Sequence, residues 1–245
     1  MGDKIRYGER TSIRTLFSYI RHKLTDPGRY FSSISEPAED FEVGCAIPVW
    51  NESDTIGLAL ESSMQFVTRY VVIDKNGETI PTIKKIQKKY GLNIDYYIKP
   101  DLNLLESRRF GLEKIHETWI LMLDGDEVLI PELLKQKMKY KNTYIRSCKN
   151  ILHPNNKTQV VNNGFHNILL HNNGTVFVPE KNNIPRMKGR AIYLDEPCIF
   201  NLHLNKDRGS GSLVRRKRKL VPYDEEIQGK IPEIITKFLQ KEKLG

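Results

Sequence analysis

The chain has 245 residues, of which 39% are hydrophobic and 28% are charged, and its formal net charge is +9. This composition is typical of a soluble globular protein with a sizeable core, and no run approaches the roughly 18 apolar residues that would span a membrane. The N-terminus is charged and has no apolar signal core, so we expect a cytoplasmic protein. The three cysteines are far apart in the sequence, which fits a reducing compartment and excludes a cysteine metal site.

The positive charge favours acidic partners, namely phosphate groups, anionic lipid or nucleic acid. A solvated basic surface would explain the same charge. A nucleic-acid-binding protein should cluster aromatic residues with Lys and Arg on one face. Here the aromatic residues are scattered along the chain, and acidic residues in the most distinctive motif would repel a phosphate backbone. Nucleic acid is therefore the least favoured partner.

Both termini carry basic amphipathic segments. Residues 1–42 contain a helical apolar pattern followed by a linker, formed by Ile13, Leu16, Phe17, Ile20 and Leu24. Residues 209–245 contain five consecutive cations at 215–219 and a second helical pattern, formed by Ile231, Ile234, Ile235 and Phe238. These segments fit either packing against the main domain or peripheral contact with a membrane that holds a lipid-linked acceptor.

Apolar strands and helical segments alternate between residues 43 and 130. Strands are predicted at 43–49, 70–74, 94–98 and 119–123, and helices at 56–64, 80–90 and 104–117. Such alternation predicts an α/β fold with a mostly parallel sheet and helices on both faces. Residues 131–208 are less regular, with a helix at 131–138 and short strands at 143–148, 166–170, 175–178, 191–194 and 198–204. We expect these strands to form a mixed extension along one wall of a cleft.

Three acids, Asp124, Asp126 and Glu127, follow the apolar strand at 119–123. An isolated Asp-x-Asp is usually a solvated turn. Here Asp74 ends another predicted strand, and the carboxyl ends of parallel strands lie on one edge of a sheet, where ligands bind. Close carboxylates repel one another, and a divalent cation such as Mn²⁺ or Mg²⁺ relieves that repulsion. The pattern therefore predicts a metal site.

Four motifs in this order resemble the family 2 glycosyltransferases of the GT-A (Rossmann-like) fold: residues 46–52, 72–79, 104–111 and 121–127. The resemblance implies that residues 43–130 form the nucleotide-sugar-binding half of a GT-A domain and residues 131–208 its acceptor-side half. It also implies a metal-dependent, inverting transfer of a sugar from a nucleotide-diphosphate sugar to an acceptor hydroxyl. UDP-sugar is the favoured donor and GDP-sugar the other candidate, while a glycan, a lipid-linked acceptor and a protein all remain open as acceptors.

The resemblance assigns residues to the donor site by position, and these are Pro48, Trp50, Glu52, Asp74, Arg108 and Asp124. Asp74 would accept hydrogen bonds from the base, and Asp124 would approach the ribose. Arg108 would lie near the nucleotide or orient the acidic site, and Asp126 would bind the metal ion.

The general base and the last metal ligand are placed by residue order alone. An acceptor hydroxyl needs an acid close enough to remove its proton. Glu180 is the candidate for this base, with Asp195 or Glu196 as the alternative, because the acid pair usual in the family is not clearly present. His203 could complete the metal site through a ring nitrogen, or it could be a structural histidine.

Two alternative interpretations, one an enzyme and the other a protein without catalytic activity, share the predicted sheet. A sugar-1-phosphate nucleotidyltransferase should carry a glycine-rich phosphate loop after its first strand, where this chain has Trp50, Asn51, Glu52, Ser53 and Asp54. A catalytically degenerate relative that keeps the GT-A fold for binding remains open, because the base is not uniquely placed.

Overall fold

The computed structural model describes residues 41–135 without a gap. Beyond them it describes residues 138, 143–147, 149–153, 157–159, 166–172, 178–179, 185–186, 190–194, 197–202, 220–223 and 230–242. The N-terminal helical pattern and the cations at 215–219 lie outside the described residues. Within them, no helix has the length and apolar character needed to cross a membrane.

Fourteen strands are described, and their bounds are as follows: β1 Val43–Val49, β2 Arg69–Asp74, β3 Ile94–Ile98, β4 Trp119–Met122, β5 Glu127–Leu129, β6 Thr143–Ser147, β7 Lys149–His153, β8 Lys157–Gln159, β9 His166–His171, β10 Val178–Pro179, β11 Pro185–Arg186, β12 Arg190–Tyr193, β13 Ile199–Leu202 and β14 Leu220–Pro222. The described helices are α1 Ile56–Ser63, α2 Ile80–Tyr90, α3 Leu104–Glu113, α4 Pro131–Lys135 and α5 Glu233–Glu242.

Seven strands form the central sheet in the order β12-β6-β9-β4-β1-β2-β3. Strands β4, β1, β2 and β3 are parallel neighbours. Strand β9 runs antiparallel to β4 and β6, and β12 runs parallel to β6. The predicted α/β fold with a mostly parallel sheet is confirmed. It arises because the apolar runs of β1, β2 and β4 are buried on both faces, as parallel strands require.

Helices cover both faces of this sheet. On one face, Leu60 of α1 and Ile83 of α2 share a buried cluster with Ile47 and Val72 of the strands. On the other face, α3 approaches so closely that a Cβ on Gly111 would lie 2.6 Å from Ile73 Cδ1. Glycine therefore sets the distance between α3 and the sheet.

Local signals set the ends of these helices. The Asn103 side chain accepts hydrogen bonds from the backbone N–H groups of Leu105 and Glu106, and Glu106 accepts one from the Asn103 N–H, which is a reciprocal capping box. Gly91, with φ of 65°, ends α2 in the left-handed conformation. Helix α3 stops at Glu113, earlier than the predicted end at residue 117, because the chain turns there and buries Ile115.

Of the strands predicted to form a mixed extension, β6, β9 and β12 extend the central sheet beyond β4, whereas β13 belongs to a second sheet, ordered β14-β8-β7-β13-β5. The sequence did not predict β5, β7 or β8, which are three to five residues long. Helix α5 packs against this sheet, with Ile235 fully buried in one cluster with Val128 and Phe200. The apolar face predicted around residues 231–238 is therefore part of the protein core.

Candidate functional site

The carboxyl ends of β1, β2 and β4 meet at one edge of the central sheet. Val49, the last residue of β1, lies opposite Asp74, the last residue of β2. Met122, the last residue of β4, lies opposite Ala46, so Asp124 emerges two residues later at the same edge. The strand register thus brings acids together that are 50 positions apart in the sequence.

The acidic loop, residues 124–127, lies directly against the end of β1. Oxygen atoms of Asp124, Asp126 and Glu127 all lie within 4.8 Å of one another. A Cβ on Gly125 would be 2.1 Å from Glu52 Oε2 and 2.7 Å from Val49 Cγ1. Only glycine therefore allows this loop to rest on Glu52 and the strand end.

Arg108 of α3 neutralises Asp124. Its Nη2 donates to both carboxylate oxygens of Asp124, at 2.6 Å and 2.7 Å. Burial alone would raise the pKa of Asp124, but the positive charges of Arg108 and Lys149 outweigh it and lower that pKa below its ordinary value. The same charge pairing raises the pKa of Arg108. Asp124 is therefore ionised and held in one orientation at neutral pH.

Glu127 is the most deeply buried of the three acids, with 1% of its surface exposed. Its Oε1 accepts a hydrogen bond from Lys149 Nζ at 2.5 Å, and its Oε2 accepts one from the backbone N–H of Asp124 at 3.0 Å. Burial opposes the charge on Lys149, but Glu127 and Asp124 raise its pKa above the ordinary value. A lysine ammonium and a loop amide thus enclose the Glu127 carboxylate.

Asn201 of β13 joins the acidic loop to the second sheet. Its Nδ2 donates to Asp126 Oδ1 at 3.0 Å and to Glu127 Oε1 at 3.2 Å. The backbone N–H of Leu202 donates to the carbonyl of Asp126 at 2.7 Å. Among the described residues, Asn201 Oδ1 is buried and has no hydrogen-bond partner.

His166, the first residue of β9, lies beside this cluster with its side chain exposed. Desolvation by the surrounding protein and the nearby charge of Lys149 lower its pKa to about 4. The imidazole is accordingly neutral at physiological pH and can accept a hydrogen bond.

The loops after β1 and β2 present an aromatic surface. Trp50 is 43% exposed, and Lys75 Nζ lies 4.5 Å from the centroid of its ring. Asn51, with φ of 56°, accepts a hydrogen bond from Asn76 Nδ2 at 2.6 Å, which links the two loops. Pro48 is buried within β1, two residues before Trp50.

Asp74 is fully buried at the end of β2. Its Oδ1 accepts from the backbone N–H of Asn76 at 3.1 Å, and its Oδ2 accepts from that of Thr79 at 2.9 Å. Asp74 therefore shapes the turn that leads into α2. A carboxylate can accept about four hydrogen bonds. The two backbone bonds therefore leave open whether Asp74 also accepts from a nucleotide base, and that role stays a prediction.

Four sequence-predicted residues, Glu180, His203, Asp195 and Glu196, lie outside the described residues. Sequence reasoning missed Lys149, Asn201 and His166, and it left Glu127 without a role. One signal was present for Asn201, because it is a polar residue between the buried Phe200 and Leu202 and so faces away from the core. Lys149 offers no such signal, since a lysine at a strand start is ordinarily solvated.

Comparison with known proteins confirms the resemblance found in the sequence. Residues 45–163, just under half of the chain, match the model of glycosyl transferase family 2. The match extends past residue 130, the predicted boundary between the nucleotide-sugar-binding half and the acceptor-side half of the domain. No match was found among curated proteins.

Among solved structures, residues 1–349 of S. aureus TarS have 17% identity and a TM-score of 0.37, covering 46% of this chain and 36% of that one. The same fragment in complex with UDP gives 15% identity and a TM-score of 0.34 over the same shares. GalNAc-T7 with UDP, GalNAc and Mn²⁺ has 14% identity and a TM-score of 0.39, covering 54% of this chain and 26% of that one. The chain thus spans well under half of each of these structures.

Proposed function

We propose that this chain, which is similar to glycosyl transferase family 2 over residues 45–163, transfers a sugar from a nucleotide-diphosphate sugar to an acceptor hydroxyl. We propose further that the transfer needs a divalent metal ion and inverts the anomeric carbon. The observation that carries the proposal is the acidic loop, where Asp124 and Asp126 follow β4 at the edge of the sheet at which β1 and β2 also end.

The nucleotide would lie across the ends of β1, β2 and β4. Trp50 offers an exposed ring against which a base or ribose can pack. Asp74 would accept from the base, and Asp124, oriented by Arg108, would approach the ribose. The resemblance favours a UDP-sugar, with a GDP-sugar as the second candidate.

The donor atoms of the acidic loop fit Mn²⁺ or Mg²⁺, because both ions prefer carboxylate oxygens. Both oxygens of Glu127 already accept hydrogen bonds from the protein. We therefore assign the ion to Asp126, together with His203, which the resemblance offers by residue order and which would bind through a ring nitrogen. When bound, the ion would offset negative charge on the leaving nucleoside diphosphate.

The acceptor side of the proposal rests on residue order. Glu180 would remove the proton of the acceptor hydroxyl, with Asp195 or Glu196 as the alternative base. Direct displacement at the anomeric carbon requires no enzyme nucleophile. We place the protein in the cytoplasm, where the cations at 215–219 would contact an anionic membrane that carries a lipid-linked acceptor. Loss of liposome binding on deleting residues 209–219 would support that contact, and unchanged binding would remove it.

Binding of UDP and GDP tests the donor site directly. The chain has two tryptophans, of which Trp119 is fully buried and Trp50 is exposed at the proposed site. We expect UDP with Mn²⁺ to quench the fluorescence of Trp50 and to show saturable binding in calorimetry, and we expect Asp126→Ala to abolish both signals. Glu42→Ala is the matched control, because Glu42 is an exposed acid at the opposite edge of the sheet.

Absence of nucleotide binding by the folded wild type at millimolar concentration would contradict the proposal. Metal-dependent binding without release of UDP from any of a panel of UDP-sugars, in the presence of glycan and lipid-linked acceptors, would favour the catalytically degenerate relative. The binding and release measurements together therefore separate the two functions.

A further inference from the structure

We propose that Lys149 and Asn201 are positioning residues that divide the three acids of the loop into two roles. Glu127 becomes an internal brace, by which we mean a buried carboxylate whose hydrogen bonds hold the loop in place. Asp126 becomes the carboxylate presented to the ligand. The inference rests on the proposed function, since it concerns the same site, and it assigns the positioning to the second sheet.

The acidic loop is one of the connections between the two sheets, because it follows β4 of the central sheet and ends at Glu127, the first residue of β5 in the second sheet. Strand β5 pairs with β13 so that Glu127 lies opposite Asn201. Strand β13 in turn pairs with β7, whose first residue is Lys149. The way the second sheet docks thus decides which side chains reach the loop.

Glu127 has the contacts of a brace. Lys149 and Asn201 donate to its Oε1, and the Asp124 N–H donates to its Oε2. A carboxylate this deeply buried is stable as an anion only with such partners, and removal of one partner leaves an uncompensated charge. Because Glu127 binds the backbone of Asp124, its position sets where the loop begins.

Asn201 controls the geometry of Asp126. One amide nitrogen donates to Asp126 and to Glu127, so it lies between two carboxylates that would otherwise repel each other. The adjacent Leu202 N–H fixes the backbone of Asp126. A residue without a donor at position 201 would let Asp126 move away from Glu127.

The first experiment compares two asparagine variants. We expect Asn201→Ala to weaken Mn²⁺-dependent binding of UDP by 10-fold to 100-fold, the range roughly expected when a residue that orients a metal ligand is removed. Asn172→Ala is the matched control, because Asn172 Nδ2 donates to the carbonyl of Glu117 at 3.0 Å, away from the acidic loop. Calorimetry measures UDP affinity at several Mn²⁺ concentrations, and thermal unfolding verifies that both variants fold.

The second experiment tests the brace. Lys149→Met leaves Glu127 buried without its cation, and we expect a lower unfolding temperature together with weaker UDP binding. Lys149→Met/Glu127→Gln removes both charges and leaves a neutral amide in the buried position, so we expect the double variant to recover both properties relative to Lys149→Met. If Lys149→Met alone does not fold, the double variant still tests the brace, because we expect it to fold and to bind UDP.

The outcomes separate this inference from the proposed function. Binding of UDP by Asn201→Ala as tight as by Asn172→Ala would overturn the inference and leave the proposed function standing, provided that Asp126→Ala still abolishes binding. A double variant no better than Lys149→Met would overturn the role of Glu127 as a brace. A wild type that binds neither UDP nor GDP with Mn²⁺ would overturn both proposals.

Discussion

Charged side chains meet at both ends of the central sheet. At the amino end, Arg69 is the centre of the network: its Nε donates to Glu117 Oε1 at 2.6 Å, its Nη1 to Asp95 Oδ2 at 2.7 Å, and its Nη2 to the carbonyl of Lys114 at 2.5 Å. At the carboxyl end, three acids of a single loop share the cations Arg108 and Lys149.

The two networks differ in where their like charges come from. Asp95 and Glu117 belong to separate segments, and Arg69 ties both to β2, so every contact joins parts of the fold. In the acidic loop the like charges are close in sequence, so their repulsion is local and the surrounding elements must offset it. We infer that the amino end serves stability, whereas the carboxyl end keeps unfavourable charge together in order to bind a ligand.

Arg69→Met should have the largest effect on stability. It leaves Glu117, which is partly buried, without its cation, and we expect a loss of about 3 kcal/mol in the free energy of unfolding. Urea denaturation measures this loss, and UDP affinity should stay unchanged. Arg109→Met is the control: Arg109 and Glu113 are 60% and 59% exposed in their side chains, and such a pair contributes about 0.5 kcal/mol. A parallel loss of UDP affinity in Arg69→Met would show that the two ends are coupled.

Gly125→Ala should have an intermediate effect that separates stability from binding. The new methyl group would meet Glu52 and Val49, and we expect a cost of about 2 kcal/mol together with a displaced loop. Because the displaced loop carries the proposed metal-binding acid, UDP affinity should fall about tenfold, which corresponds to about 1.4 kcal/mol of binding free energy.

Gly91→Ala provides the matched comparison for Gly125→Ala. Gly91 has a φ of 65° and open space around it, so alanine there introduces backbone strain without a clash. The expected cost in stability is about 1–2 kcal/mol, with no change in UDP affinity. Equal losses of affinity in the two variants would mean that the acidic loop is not the binding element.

Glu117→Gln should have the smallest effect, and it depends on pH. Burial would raise the pKa of Glu117, but the hydrogen bond from Arg69 lowers it below its ordinary value of 4.5. A carboxyl with a lowered folded-state pKa stabilises the fold above its ordinary pKa, and it loses this contribution as the pH falls through the lowered value. We expect Glu117→Gln to be about 1 kcal/mol less stable than the wild type at pH 7, and the difference should disappear as the pH falls well below 4.5.

Chemical denaturation across this pH range measures the Glu117 effect. Glu113→Gln is the control, because the side chain of Glu113 is largely exposed and its pair with Arg109 is weak. A difference between wild type and Glu117→Gln that persists unchanged at low pH would contradict an ionic origin of the stabilisation.

Local sequence signals predicted the first half of the fold well. The apolar runs of β1, β2, β3 and β4 and the bounds of α2 agree with the structure within a residue or so. These elements are long or strongly patterned, and residues such as Asn103 and Gly91 mark their ends through contacts within a few positions. The second half depends on strands of two to six residues whose pairing partners are distant, so local pattern carried little information about β5, β7 and β8.

The sequence by itself determined that Asp74 ends one strand and that Asp124 and Asp126 follow another, because alternation of strands and helices already implies a shared carboxyl edge. Only the tertiary structure decided the surroundings of the acidic loop. Lys149 lies 22 positions from Glu127, and Asn201 lies 74 positions from it. Contacts at such separations arise from sheet register, which is set by the packing of the whole core and not by the propensities of the residues that meet.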